Sequence, residues 1–310
     1  MSSISHVFVV CAEAGRFADL VSGAAGLGKD VHVVFVGSAE QGREAFAYGA
    51  RVLHLLPPRE GVIFEDYAPS VAAVVTGAGA GTLVLLPADR SGKAMAAKIG
   101  AAMGAPVVNE ATAVAAEEGL EARHTVYGGL AEAVERSMVD ALVVTVAQGV
   151  FEAVSAPVEG EVREEAFVPP VKAMRLVESR PRTGDAADIA AASRVIGVGR
   201  GFARREDLAP VQELAAAIGA EIGCSRPIAE SEQWMGRDRY VGISGVTLTG
   251  NVYLALGISG QIQHMAGVRD VKTIVAVNKD KNAPVFACAD YGLVGDVNKV
   301  VPALVRLLGS

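Results

Sequence analysis

Aromatic residues are scarce in this chain. Trp, Tyr and Phe together make up 5% of its 310 residues, and Trp234 is the single tryptophan. Ala, Gly and Val therefore dominate what can be buried. Long basic runs are also missing, and the formal net charge is −7, which argues against nucleic acid or an anionic membrane surface as a partner. The three cysteines, Cys11, Cys224 and Cys288, show neither CxxC nor metal-ligand spacing. Reduced thiols in a cytosol are expected, with no metal. No apolar stretch reaches the ~20 residues that span a bilayer. The first apolar run, His6 to Ala12, is too short for a signal peptide and lacks a basic segment before it. These absences together predict a soluble cytoplasmic protein without membrane insertion.

Hydrophobic residues make up 51% of the chain and charged residues 20%, enough for sizeable cores in one large or two ordinary domains. Short apolar strands alternate with helical stretches from the start. Strands are expected at Val7–Cys11, Val31–Val36, Arg51–Leu56 and Thr82–Leu86, and helices over 16–27, 38–49, 66–76 and 91–103, with Ser38 as an N-cap. Such alternation predicts βαβ units and a parallel sheet. Further strands are expected at 105–108, 122–127 and 141–146. Between Ser155 and Pro170, Pro157, four glutamates and Pro169-Pro170 break the pattern. They read as an exposed connection or as a loop before a strand over 172–177. The run 179–185, Ser-Arg-Pro-Arg-Thr-Gly-Asp, marks a domain boundary. The expected division is an N-terminal α/β domain over 1–187 and a second α/β domain over 188–310. In the latter, strands are expected at 194–198, 221–223, 251–256 and 272–277, and helices at 206–218, 260–267 and 296–308.

The organising stretch is 257–296. Gly257-Ile-Ser-Gly260 leads from a strand into a helix, a form that leaves backbone N–H groups free for an anion. Asn278-Lys-Asp280 then falls at the carboxyl end of the β-branched strand Thr273–Val277, where open α/β sheets bind ligands. Upstream, Gly197-Val-Gly199-Arg-Gly201 follows a strand and precedes a helix, and Glu221 lies where a ribose-binding acid would. Phe202 occupies the sixth position, so the GxGxxG pattern is not met. An NAD(P)-linked Rossmann dehydrogenase and a plain tight turn both remain open on this motif alone. Ser91-Gly92-Lys93 lacks the Walker spacing, since Pro87 stands where glycine is needed, and it reads as a helix N-cap. Cys224 beside the second loop reads as a packed small residue.

Taken together, GISGQIQHMAG (257–267), AVNKDKNAPVF (276–286), ADYGLVGD (289–296), GVGRGF (197–202) and CSRPIAESEQWMGRDRYVGIS (224–244) resemble the C-terminal FAD-binding domain of electron transfer flavoprotein alpha subunits. Ser-Arg-Pro and Arg-Tyr-Val-Gly-Ile-Ser look most like the branch associated with nitrogen fixation and carnitine metabolism. The N-terminal half is similar more loosely, through YGGL (127–130). The resemblance implies an N-terminal parallel-sheet nucleotide-hydrolase-like α/β domain that associates with a beta subunit, followed by a doubly wound FAD-binding domain. It implies an electron carrier rather than an enzyme with its own substrate chemistry. FAD is the cofactor, and the partner is a beta subunit carrying AMP or a second FAD. Electrons would come from acyl-CoA or related flavin dehydrogenases and go to an acceptor such as a quinone oxidoreductase or reductase.

The resemblance also implies the contacts. Arg200 approaches the pyrophosphate, Ser225 touches the cofactor, and Arg226 lies over the flavin ring as a fixed positive charge, held in extended geometry by Pro227. Val241, Gly242, Ile243 and Ser244 occupy a segment that contacts the flavin near N5. Ile243 replaces a glutamine found in many members, so one side-chain hydrogen bond to the ring is absent. Ser259, Gly260, Gln261, Ile262 and Gln263 meet the cofactor chain. His264 reaches the pyrimidine edge, able to give a hydrogen bond, and a proton if an anion raises its pKa. Asn278, Asp296 and Val297 fall at the adenosine end. Ordinary loop capping would also explain Asn278 and Asp296.

Overall fold

The computed structural model describes residues 4–28, 30–116, 119–178 and 189–308. The chain divides into two compact units, Met1–Arg180 and Pro181–Ser310. The expected boundary at 187/188 and the break over 179–185 lie outside the described residues.

The first unit is built on strands β1 (His6–Cys11), β2 (Val31–Val36), β3 (Val52–Leu56), β4 (Thr82–Pro87), β5 (Val107–Ala115), β6 (Glu121–Val126), β7 (Ala131–Arg136), β8 (Ala141–Val146) and β9 (Glu161–Glu164). They form one sheet in the order β7-β6-β5-β8-β4-β1-β2-β3-β9. Seven strands pair in parallel; β6 pairs antiparallel with both β5 and β7, so the sheet is parallel-rich rather than purely parallel. Helices α1 (Phe17–Leu27), α2 (Ala39–Gly42), α3 (Ala68–Thr76) and α4 (Arg90–Met103) connect the strands. The β1 side chains explain the unbroken apolar runs. Val7, Val9 and Cys11 enter one core with Phe17 and Leu20 of α1, while Phe8 and Val10 enter another with Val71 of α3 and Met95 of α4. A strand covered on both faces carries no polar alternation.

Local differences from expectation have local causes. The helix over 38–49 splits into α2, which Ser38 caps by accepting from the Gln41 N–H, and a 3-10 stretch ending at Gly49 with φ +105°. Asp89, not Ser91, caps α4: its Oδ1 accepts from the Gly92 N–H at 2.6 Å, and Ser91 instead donates to Glu65. A side chain at position 92 would collide with the Pro87 carbonyl, so Ser-Gly-Lys is a packing feature. Asp89→Ala should cost about 1 kcal/mol, read as a lower denaturant midpoint at unchanged slope. The strand expected over 172–177 does not form. This stretch is coil, with the Met174 N–H donating to the buried Asp66 carboxylate, and the broken segment before it supplies β9 instead.

The second unit has five parallel strands: β10 (Arg194–Val198), β11 (Glu221–Cys224), β12 (Val252–Leu256), β13 (Thr273–Asn278) and β14 (Tyr291–Val294), in the order β11-β10-β12-β13-β14. Helices α5 (Ala209–Ile218), α6 (Arg226–Glu230), α7 (Ile262–Met265) and α8 (Val297–Leu308) complete it. Val211 and Leu214 of α5 and Val301 of α8 pack with Ile196 and Val198 on one face of the sheet; Val195, Tyr253 and Ala255 enter the other core. The helix expected over 260–267 is the single turn α7, and β14 was not foreseen. Strand order reverses between β10 and β12, which places a topological switch point at their carboxyl ends. Among the described residues no helix is long and apolar enough to cross a membrane.

Candidate functional site

All five strands of the second sheet end at one cavity of about 520 Å³. Gly199–Gly201 follow β10, Ser225–Pro227 follow β11, Gly257–Ser259 follow β12, Asn278 and Lys279 end β13, and Gly295–Val297 follow β14. Gln261, Gln263 and His264, together with Tyr240, Ile243 and Ser244, close its remaining sides. The volume lies in the range of sites for cofactors and small molecules.

The glycines of the β10 and β12 loops bring two backbones into contact. A Cβ on Gly257 would lie 2.6 Å from Gly201 Cα, and Gly257 has φ +64°. The Gly199 N–H donates to Leu256 O at 3.0 Å and the Gly201 N–H to Gly257 O at 3.1 Å. These donors are therefore spent inside the fold, and the glycine loop does not present them to a phosphate. Charge at this point comes from the Arg200 side chain. Gly197 instead makes room for a neighbour, since any Cβ there would overlap the Tyr253 hydroxyl. Glu221 stands at the amino end of β11 and accepts from Arg239 at 2.7 Å, away from the cavity. The ribose-acid reading fails on position.

Arg226 opens α6 with Pro227 second in the helix, so the extended residue is Ser225, at φ −77° and ψ 157°, rather than Arg226. The Arg226 side chain is 64% exposed, and its Nε donates to Glu230 one helical turn on, at 2.7 Å. Arg237 reaches the same carboxylate at 2.5 Å. Arg237 and then Arg226 hold the Glu230 carboxyl below the usual carboxylate range. Two guanidiniums on one carboxylate leave a net positive charge beside the cavity. Arg200 and Lys279 also line it and make no ion pair among the described residues. Asp296, the one acid in the lining, accepts from the Asn298 N–H at the start of α8. In a chain of net charge −7, this is a local cationic site suited to an anionic ligand.

His264 is 7% exposed, and its Nε2 lies 2.7 Å from the buried Tyr253 hydroxyl. Donation from Tyr253 to Nε2 is the arrangement that gives the phenol hydrogen an acceptor, and it leaves the imidazole N–H on Nδ1. Nδ1 is buried and has no hydrogen-bond partner of good geometry. Burial pushes the His264 pKa down to about 4, with the Val241 backbone opposing it weakly. His264 is thus a neutral imidazole in the wall, with the Val241 backbone as its other polar neighbour, not the cationic proton source that a bound anion would favour.

The structure brings twelve of the expected contact residues to the cavity wall: Arg200, Ser225 and Arg226; Ile243, Ser244 and Ser259; Gln261, Gln263 and His264; Asn278, Asp296 and Val297. Four lie off it. Val241 is buried in the core and Gly242 supports the turn, where any Cβ would press on the Gln263 carbonyl. Gly260, with φ +85°, packs on the Val285 backbone, and Ile262 is exposed and does not line the cavity. The Asn278 amide also donates to Ile258 O, and its Oδ1 accepts from the Asp280 N–H, so it fixes loops as well as lining the wall. The expected contacts omitted Tyr240, Pro227, Ile258 and Lys279 in the wall, although Ile258 and Lys279 stood in stretches read as ligand-binding, and omitted Tyr253 and Glu230 behind it. Lys279 was the legible one, since it directly follows Asn278 at a strand's carboxyl end.

Two family models match the chain, "Electron transfer flavoprotein domain" over residues 17–173 and "Electron transfer flavoprotein FAD-binding domain" over 188–269. YdiR of Escherichia coli K12, named as a putative electron transfer flavoprotein subunit, is 44% identical over 312 residues, covering 99% of each chain. Protein FixB of Escherichia coli O1:K1 is 42% identical over 309 residues, covering 98% of each. The chain belongs to the electron transfer flavoprotein alpha family. Within that family it resembles the FixB branch. A thiamine diphosphate-dependent 4-hydroxybenzoylformate decarboxylase from Rhodococcus jostii covers 98% of this chain, and 59% of its own, at 11% identity and a TM-score of 0.26, too low to bear on the fold.

The second unit of this electron transfer flavoprotein subunit is its FAD-binding domain, and the cavity's chemistry fits that cofactor. Unpaired cations suit a pyrophosphate. The glycine crossing of β10 and β12 keeps the switch-point floor free of side chains. A neutral imidazole in the wall, fixed by Tyr253, suits the edge of a flavin ring. A family of alpha subunits implies a beta-subunit partner and electron-transfer partners.

Proposed function

We propose that this chain holds FAD in the switch-point cavity of its second unit and, paired with a beta subunit carrying AMP or a second FAD, shuttles electrons between other flavoproteins. The observation that carries this reading is the cationic cavity itself. It joins charge for a dinucleotide to a ring-edge donor, His264, yet its wall offers no acid and base poised together for substrate chemistry. Acyl-CoA or related flavin dehydrogenases are the donors in this reading, and a quinone oxidoreductase or reductase is the acceptor.

When bound, FAD supplies the redox chemistry. The protein's part is binding and tuning. Arg200 and Lys279 neutralise the pyrophosphate. Arg226, steered by Glu230, presents a charge that no relevant pH removes, which favours the more negative reduced flavin over the oxidised one. His264, held in one tautomer by Tyr253, donates from Nδ1 to the ring edge without adding a full charge. Ile243 presents an apolar side chain, 65% exposed before the cofactor is counted, where a hydrogen-bonding amide would stand.

The purified assembly should absorb near ~450 nm as a flavoprotein. That band should bleach anaerobically when a catalytic amount of an acyl-CoA dehydrogenase and its substrate are added. A preparation without flavin that binds NAD(P)H instead would overturn the reading. Arg226→Ala should keep FAD but lower its first reduction potential by tens of millivolts, since about 59 mV corresponds to a tenfold change in relative affinity. Arg226→Lys should recover part of the shift, because it restores charge without the planar fork.

A further inference from the structure

The first unit holds a row of histidines and carboxylates that the flavin chemistry does not use. It crosses four neighbouring strands: His6 at the start of β1, Asp30 and His32 at the start of β2, His54 on β3, and Glu165 just past β9. Glu165 Oε1 lies 2.7 Å from His54 Nδ1, His54 Nε2 lies 2.9 Å from His32 Nδ1, and the two rings stack with centroids 5.2 Å apart. A carboxylate only accepts. The His54 Nδ1 therefore carries hydrogen, its Nε2 accepts, and His32 donates from Nδ1. This leaves a lone pair on His32 Nε2.

That lone pair meets another acceptor. Asp30 Oδ2 lies 3.1 Å from His32 Nε2 and 2.8 Å from His6 Nδ1. His32 is 9% exposed, and its Nε2 is buried without a hydrogen-bond partner. The Nε2–Oδ2 approach does not have the geometry of a hydrogen bond. Two acceptor atoms 3.1 Å apart, with a third at His6 Nδ1, make a set that a shared cation would satisfy.

We propose that His6 Nδ1, Asp30 Oδ2 and His32 Nε2 form a binding site for a divalent transition-metal ion of the zinc type. The three ligand atoms all lie within 4.8 Å of one another. A tetrahedral ion with bonds near 2.0–2.1 Å spaces its ligands by about 3.3 Å, so shifts of roughly an ångström suffice. Two imidazoles and one carboxylate suit zinc among the divalent ions and leave a fourth position open. The row behind the site is the expected outer shell. His54, oriented by Glu165, fixes the His32 ring so that Nε2 faces the ion, as carboxylate–histidine pairs do behind metal-ligating histidines. Entry is from the partly exposed side, where the Asp30 side chain is 41% and the His6 side chain 29% accessible. The ion would clip the amino ends of β1 and β2 together.

The test uses the full chain with its beta subunit, freed of metal by chelation and dialysis, then titrated calorimetrically with zinc chloride. Cobalt(II) absorption reports coordination number in parallel. One saturable equivalent per chain is expected, with a tetrahedral cobalt spectrum. His32→Ala and His6→Ala should each abolish it. His6→Ala removes only a rim ligand and should leave FAD content unchanged, so loss of folding cannot stand in for loss of the site. His54→Leu should weaken affinity about 10–100-fold, and His124→Ala, at a separate His–Glu pair, should change nothing. No saturable uptake, or uptake unchanged in both His6→Ala and His32→Ala, would overturn the proposal.

Discussion

Gly257→Val should leave an assembly that loses FAD on purification and unfolds several degrees early. Two costs add at this position. Its φ of +64° is one that a β-branched residue adopts only under strain. Its Cβ would lie 2.6 Å from Gly201 Cα, a backbone atom that no rotamer change can move aside. Separating the β10 and β12 loops to relieve that contact moves Gly199–Gly201, the floor beneath Arg200. The combined penalty should exceed about 3 kcal/mol, in the range reserved for strain and overpacking in well-ordered structure. Gly219→Ala is the control. It shares the left-handed conformation, φ +60°, but its Cβ would meet only the flexible end of Arg194, at 3.7 Å. It should cost about 1 kcal/mol and leave FAD in place. Equal FAD loss in the two variants would mean that loop approach has no part in holding the cofactor.

Acid should weaken the second unit through His264. Its folded pKa is about 4, against an ordinary 6.5. Below pH 6.5 the unfolded chain takes up a proton that the folded chain refuses, so stability falls as pH falls, and this contribution is complete near pH 4. At about 1.36 kcal/mol per unit, the loss amounts to about 3 kcal/mol. At about pH 7 and above the group contributes no slope. Unfolding by denaturant at about pH 7 and about pH 4.5, compared between the parent protein and His264→Gln, isolates it from titrating carboxylates. The parent should lose more stability than the variant across this interval. Parallel losses would show that His264 accepts a proton in the folded state.

Strands are most legible in the sequence where burial is two-sided. Apart from His6, His32, Thr82 and Thr145, β1, β2, β4 and β8 are apolar runs because helices or neighbouring side chains cover both faces. Edge strands β7, β9 and β14 went unassigned, since Ala131–Arg136, Glu161–Glu164 and Tyr291–Val294 are largely exposed and are held by backbone pairing that leaves no trace in side-chain pattern. The reverse error over 172–177 came from apolar residues that stay exposed: Met174, Leu176 and Val177 touch water rather than a sheet neighbour.

In the cavity, residues carried on loops between motif blocks were legible, and residues acting from behind were not. Tyr253 looks like one more core position of β12, and its hydroxyl acquires meaning only when Gly197 opens space beside it and His264 comes to 2.7 Å. Glu230 pairs with Arg226 only because Ser-Arg-Pro starts a helix, whereas the residue before a proline ordinarily favours extended chain. The histidine row is hidden for a related reason. His32 and His54 lie 22 residues apart and meet through the register of β2 on β3, where Val34 pairs with His54.

Everything proposed for the second unit turns on one FAD seated at the switch point of its sheet. The most direct measurement is an experimental structure of the chain, assembled with its beta subunit, at a resolution that shows the cofactor. One FAD should lie across the carboxyl ends of β10 and β12, with its pyrophosphate within reach of Arg200, the Arg226 guanidinium against the flavin ring, and His264 Nδ1 within about 3 Å of a ring-edge acceptor. A flavin bound elsewhere on the chain, or a cavity filled by side chains with FAD held by the partner alone, would contradict it.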